Sequence, residues 1–182
     1  DEPVGNCKFS DIAVFSFHPV KIITSGEGGA ALTNNPELDK KMRLFASHGI
    51  TRNTDLMENV PDGAWYYEQI SLGSNYRMTE IQAALGLNQM SRIDAFIQKR
   101  HEIAKRYNDE LKHLPLTLPE QGNENYSSFH LYIIRLKLES IKKSHKDIFE
   151  ELRYEGLGVN LHYIPVYHHP YFKRFGFKKG YC

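Results

Sequence analysis

Residues 13–32 read AVFSFHPVKIITSGEGGAAL. An apolar run meets a single lysine, Lys21, flanked by Val20, Ile22 and Ile23, and the chain then gives up its side chains at Gly26, Gly28 and Gly29. The runs on either side, DIAVFSF and GGAALTN, are short and almost wholly apolar, as buried strands are. A strand, a turn that carries the lysine, and a second strand follow from this pattern. A lysine amine is a nucleophile only when it is unprotonated for part of the time, which calls for a partly desolvated position. The end of a buried strand offers one. Glycines beside it let a flat, charged cofactor approach the backbone, and the Ser16 hydroxyl at the strand end suits an anion. The same spacing also fits a snorkelling lysine beside an ordinary Gly-rich hairpin. On spacing alone this plainer reading is the stronger one, because an isolated glycine cluster is a weak signal.

Beyond the second strand, Asn35 and Pro36 have the chemistry of an N-cap and a first helical residue, and Leu38, Met42 and Phe45 then fall on one helical face up to Gly49. Residues 50–75 have no clean period. They contain VPDGAWYY and SLGSN, both rich in turn formers, and a connection of this length is usually functional or mobile. From Thr79 the pattern turns strongly helical, and Ile81, Leu85, Ile93, Phe96, Ile97, Ile103, Tyr107, Leu111 and Leu114 recur at helical spacing as far as Pro115. One continuous helix of this length, at about 1.5 Å per residue, outruns a compact domain and is expected to join two. The rest reads strand, helix, strand: SFHLYIIRLKL alternates, SHKDIFEELRYEGLGV is a helix capped by Ser144 and stopped at Gly156 or Gly158, and NLHYIPVY is a further strand.

The composition narrows the function classes. Of 182 residues, 23 are Lys or Arg and 22 are Asp or Glu, so no basic field exists to hold nucleic acid. The longest apolar run is too short to cross a membrane, and DEPVGNCKF has no signal-peptide anatomy. The two cysteines, Cys7 and Cys182, stand at opposite ends of the chain. They form neither a disulfide framework nor a zinc site, which predicts a reducing, cytoplasmic setting. His162, His168 and His169 have no cysteine or carboxylate at ligand spacing, so no metal is expected. The aromatics from Tyr163 to Phe177 read as core residues, not as a base-stacking platform.

Three segments, in order, carry a resemblance. SFHPVKIITSGEGGAALTN (16–34), SNYRMTEIQAALGLNQM (74–90) and VNLHYIPVYHHPYF (159–172) resemble landmarks of the DegT/StrS-type sugar aminotransferases, enzymes that use pyridoxal 5'-phosphate (PLP). The resemblance implies an α/β chain of the PLP-dependent transferase fold type I. Residues 1–90 would be the C-terminal part of the large PLP-binding domain, and residues 91–182 a long connecting helix with an incomplete small α/β domain.

By this likeness Lys21 is the lysine that forms the Schiff base with PLP, Ser16 binds the cofactor phosphate, and Asn75 reaches that phosphate from the neighbouring subunit of a homodimer. Arg77, His162 and Tyr163 match positions near the sugar-nucleotide substrate. The implied reaction moves an amino group from an amino acid, by family habit glutamate, to a keto sugar of a nucleotide-sugar, in amino-sugar and surface-glycan biosynthesis. Relatives with His in place of the lysine are dehydratases, and Lys21 favours transamination over a PLP-dependent dehydratase.

The family's acidic partner for the pyridine nitrogen belongs upstream of the lysine segment, and Asp1, Glu2 and Asp11 do not sit in its motif. The chain is therefore expected to be an internal fragment, inactive alone. A cofactor-free dimerisation piece is the non-enzymatic alternative.

Overall fold

The computed structural model describes residues 2–181, so Asp1 and Cys182 lie outside the described residues. The chain divides into two compact units, Asp1–Glu102 with Gly122–His130, and Ile103–Gln121 with Leu131–Cys182.

In the first unit, strand β1 (Ala13–Ser16) pairs antiparallel with β2 (Gly29–Leu32), in the register Ala13 to Leu32 through Ser16 to Gly29. The apolar strand is covered on one face only. Ala13 and Phe15 are half-buried, whereas Ser16 and Val14 are exposed, Val14 by 79%. Side chains alternate across a two-stranded ladder, so here only one face finds cover.

Helix α1 (Pro36–Ala46) starts as its sequence predicts. Asn35 Oδ1 accepts from the amides of Glu37 (2.9 Å) and Leu38 (3.3 Å), satisfying two of the donors that a helix leaves open at its start. It ends where the amide of Gly49, in the left-handed region at φ +71°, donates to the Leu44 carbonyl.

Residues 50–75 contain one short antiparallel ladder, β3 (Ile50–Thr51) with β4 (Glu68–Gln69). Helix α2 (Glu80–Met90) opens on a capping box: Thr79 Oγ1 accepts from the Gln82 amide, and the Gln82 side chain accepts from the Thr79 amide.

The single long helix is not formed. Ser91 and Arg92 separate α2 from α3 (Ile93–Leu111). The Ser91 hydroxyl donates back to the Asn88 carbonyl at 2.8 Å, and the Arg92 amide reaches the Gln89 carbonyl three residues back. A serine that bonds the preceding turn competes with the helical ladder. The apolar period runs through this break unchanged, so it gave no warning.

In the second unit, β5 (Leu116–Thr117) pairs antiparallel with β6 (Arg135–Leu136). Helix α4 (His145–Tyr154) has a capping box between Ser144 and Asp147. Its end carries Gly156 at φ +83° and a bond from the Leu157 amide to the Leu152 carbonyl, the arrangement in which glycine closes a helix. Helix α5 is the short Pro170–Lys173.

Two expected strands shrink or vanish. Only Arg135 and Leu136 of 128–138 join a ladder, and Phe129 at φ +46° interrupts the segment. Residues 160–167 find no ladder partner among the described residues and end in a 3₁₀ turn at Val166–His168. Alternation favours extended backbone, but a strand exists only where a neighbour completes its hydrogen bonds.

No helix among the described residues is long and apolar enough to cross a membrane. No group of three or more His, Cys, Asp or Glu among them stands close enough together to hold an ion.

Candidate functional site

The loop between β1 and β2 is tightly tied at its neck. The Phe17 amide donates to the Gly28 carbonyl at 2.8 Å, extending the ladder by one rung, and the Phe17 carbonyl accepts from both the Ser25 amide (3.1 Å) and Thr24 Oγ1 (2.9 Å). Thr24 Oγ1 in turn accepts from the Gly26 amide at 2.9 Å. Within this frame the Lys21 amide donates to the His18 carbonyl at 2.9 Å. Residues 18–21 thus form a tight turn with Pro19 at its second position, where the fixed proline φ is suited to it.

The Lys21 side chain is half-buried, and no carboxylate among the described residues lies within ion-pair distance of it. Ser16 is exposed at the end of β1, and its Oγ accepts from the His18 amide at 3.3 Å, leaving its own proton to donate outward. His18 Nε2 faces Glu27 Oε1 across the loop at 3.8 Å.

The glycines serve a different purpose from the one expected. A Cβ on Gly29 would sit 2.6 Å from the Phe15 carbonyl oxygen. One on Gly28 would sit 2.5 Å from Ser25 Oγ and 2.8 Å from Met78 Cε. Two of the three are therefore bare so that the chain can close on itself. Only Gly26, at φ +82°, has nothing within 4 Å of an added Cβ and leaves open space.

The Gly28 and Met78 contact also brings together two segments far apart in sequence. Met78 follows Asn75 and Arg77 directly, and Gly86 of α2 lies against the same loop, its would-be Cβ 3.5 Å from Ser25 Cβ. Asn75 itself is exposed and forms an isolated antiparallel bridge with Ser47.

The approach to Asn75 is anchored and not loose. The Ser74 amide donates to the Phe45 carbonyl (2.8 Å), the His48 amide to the Ser74 carbonyl (3.0 Å), and the Tyr76 amide to the Ala46 carbonyl (3.0 Å). Gly73 makes this possible: a Cβ there would lie 2.6 Å from the His48 carbonyl carbon and 2.7 Å from the Phe45 oxygen.

Further out on the same connection, the Glu68 carboxylate gathers the amides of Glu58 (2.7 Å) and Asn59 (3.0 Å), the Asn59 side chain (2.9 Å) and the Tyr66 hydroxyl (2.9 Å). These donors, the Glu58 amide foremost, hold its pKa below the ordinary value, while the Tyr66 hydroxyl bonded to it is raised. Nothing in the turn-rich composition of 50–75 singled out Glu68 or the Gly73 contact. The glycine in SLGSN was the nearest signal.

Ser16, Lys21, Asn75 and Arg77 all belong to the first unit, with Arg77 exposed. His162 and Tyr163 belong to the second, are exposed, and have ring centroids 5.9 Å apart. An open pocket of about 460 Å³ is lined by Cys7, Ser10, Asp11, Asn34, Asn35 and Pro36. None of the predicted site residues lines it.

Comparison with known proteins agrees with the family resemblance. The model of the DegT/DnrJ/EryC1/StrS aminotransferase family matches residues 1–180. A UDP-4-amino-4,6-dideoxy-N-acetyl-beta-L-altrosamine transaminase from Campylobacter jejuni is 38% identical over 174 residues, covering 95% of this chain and 43% of that protein. Among solved structures, Helicobacter pylori PseC, an aminotransferase involved in the biosynthesis of pseudoaminic acid, superposes with a TM-score of 0.78 at 37% identity, over 91% of this chain and 42% of its own. The PLP-form of the putative sugar aminotransferase Spr1654 from Streptococcus pneumoniae gives 0.81 at 32% identity, over 97% and 43%. The chain thus spans well under half the length of these relatives. It is a member of the DegT/DnrJ/EryC1/StrS aminotransferase family, with the fold of its PLP-dependent relatives over the part it covers.

Proposed function

We propose that this chain is part of a PLP-dependent aminotransferase that transfers an amino group from an amino acid, glutamate in the first instance, to a keto sugar carried on a nucleotide. The observation that carries this reading is the Lys21 loop: a half-buried lysine without a carboxylate partner among the described residues, held on a tied turn and packed against the segment that displays Asn75 and Arg77.

The residues present fit the cofactor. An amine with no ion pair to break is free to reach an aldehyde carbon. The outward proton of the Ser16 hydroxyl and the exposed Asn75 amide are donors suited to a phosphate, where hydrogen bonds to a charged group contribute about 1.5–3 kcal/mol each. When bound, PLP supplies the electron sink that lets a proton leave the carbon bearing the nitrogen.

Every other task falls to the chain. Lys21 Nζ would hold the cofactor through its aldehyde carbon, with loss of water, and once released as a free amine would serve as the general base and acid that moves a proton. Ser16 anchors the phosphate of its own subunit. Asn75 anchors that of the partner subunit, which makes the functional unit a homodimer. Arg77, His162 and Tyr163, each by the likeness of its own motif, are the candidates for binding the sugar-nucleotide. Residues 1–90 serve as the partial cofactor-binding domain and 91–182 as the connecting and small-domain part, in a cytoplasmic enzyme.

The test uses a full-length protein carrying this chain. With PLP and borohydride, mass spectrometry should find a pyridoxyl label on the Lys21 peptide, and a keto-sugar nucleotide with glutamate should yield the amino sugar. Lys21→Ala should lose both label and turnover while keeping its circular dichroism. A label on a different lysine would overturn the assignment.

A further inference from the structure

Ser25 is 1% exposed, less than Ala104 (3%), Ile23 (7%) and Thr51 (7%), so the most completely covered side chain among these four carries a hydroxyl. Many large apolar side chains of the chain are exposed, yet Ile23 and Ser25, two of the five buried residues among those described, sit on the loop that displays Lys21. A hydroxyl is buried at a cost unless it is bonded. Here Ser25 Oγ donates to the Glu27 carbonyl at 2.9 Å, and the Ser25 amide donates to the Phe17 carbonyl at 3.1 Å.

The surroundings of Ser25 come from elsewhere in the chain. Gly28, at φ +153°, is wedged between Ser25 Oγ and Met78 Cε with no room for a Cβ. Gly86 of α2 approaches Ser25 Cβ at what would be ordinary van der Waals contact for a methyl group, 3.5 Å. Ser25 is therefore tied by hydrogen bonds to the Lys21 loop and lies against Gly86, while Gly28 beside it lies against Met78, both on the stretch that leads from Asn75 and Arg77.

We propose that Ser25 is a positioning residue, a buried peg that fixes the loop displaying Lys21 against the segment displaying Asn75. It touches neither cofactor nor substrate; it sets the spacing of two groups that do. The proposal rests on the functional reading above, and one further consequence follows from it. If Asn75 serves the partner's cofactor, Ser25 joins a part of one active site to a part of the other.

The experiment compares wild type, Ser25→Ala and Ser25→Cys in a full-length protein carrying this chain. Without PLP, native-state hydrogen exchange is read over residues 17–28 and 76–86. Loss of one buried hydrogen bond should speed exchange about fivefold in both segments, and cysteine, a weak donor of similar size, should restore part of the protection. With PLP, the cofactor concentration that half-saturates the borohydride-fixed label on Lys21 should rise about fivefold in Ser25→Ala, with Ser25→Cys between the two.

Faster exchange confined to 17–28 would overturn the link between the segments. Faster exchange in both with unchanged half-saturation would reduce Ser25 to a structural residue. A wild type that takes no label at Lys21 would overturn the functional reading, and the exchange arm would still decide whether Ser25 joins the two segments.

Discussion

Replacing Gly73 by alanine places a methyl carbon 2.6 Å from the His48 carbonyl carbon, 2.7 Å from the Phe45 carbonyl oxygen, and closer still to the Gly49 amide nitrogen. All three are backbone atoms, so no side chain can rotate out of the way. The protein has two responses. It can keep the loop in place and accept an overpacked contact, which costs about 1–3 kcal/mol. Alternatively it can lift the loop, stretching the bonds from Ser74 to Phe45 and from His48 to Ser74, each worth about 0.5–1.5 kcal/mol net. A mixture of the two gives a loss on the order of 2–4 kcal/mol, concentrated between residues 45 and 76.

The control is Gly158→Ala, the same chemical change where an added Cβ has nothing within 4 Å; a shift of no more than about 0.5 kcal/mol is expected there. The assay is native-state hydrogen exchange at the amides of Ser74 and Tyr76, which bond the Phe45 and Ala46 carbonyls and so report local opening. Gly73→Ala with unchanged protection at both amides would refute the argument that close backbone approach anchors the route to Asn75.

Three further outcomes are expected. Mixing a Lys21→Ala chain with an Asn75→Ala chain of the full-length protein should restore part of the activity, because some heterodimers then hold one intact shared site; no gain despite subunit exchange and a damaging Asn75→Ala change would show that the sites are not shared. Removal of the capping hydroxyl by Thr79→Ala should cost about 1 kcal/mol, read as weaker exchange protection in the first turn of α2, with Ser144→Ala doing the same at α4. Glu68 has a folded-state pKa below its ordinary 4.5, so the order it gives the loop is fully present above that pH and is lost as pH falls through the lowered value. Trp65, the single tryptophan of this chain, packs over Gly63 in that loop, and its fluorescence should show an acid step that Glu68→Gln removes.

Local chemistry was the legible part of this chain. Asn35 with Pro36 and the Ser144 cap act within a few residues, and the structure uses both as the sequence suggests; the Thr79–Gln82 box is as local, though it was not singled out. A turn carrying Lys21 was legible for the same reason, since a glycine cluster between two short apolar runs marks a local break. Features that depend on a distant partner were not. The alternation of 128–138 and 160–167 could not say whether a neighbouring strand exists, and the helical period across 81–114 could not register one serine bonding backward at Ser91. The role of Gly28 was misread because its crowding comes from Ser25 and Met78, and the latter is fifty residues away in sequence.

The three antiparallel ladders share a property with a bearing on how the polypeptide acquires its structure. Each closes within a short stretch of chain: Ser16 onto Gly29, Thr51 onto Glu68, Thr117 onto Arg135. None must wait for a strand made much later, and the entropy lost in closing such small loops grows only slowly with their length. At about 5–20 residues per second of synthesis, each pair becomes available within a few seconds of its first strand leaving the ribosome. The turn that holds Lys21 can therefore be in place long before translation reaches Arg135.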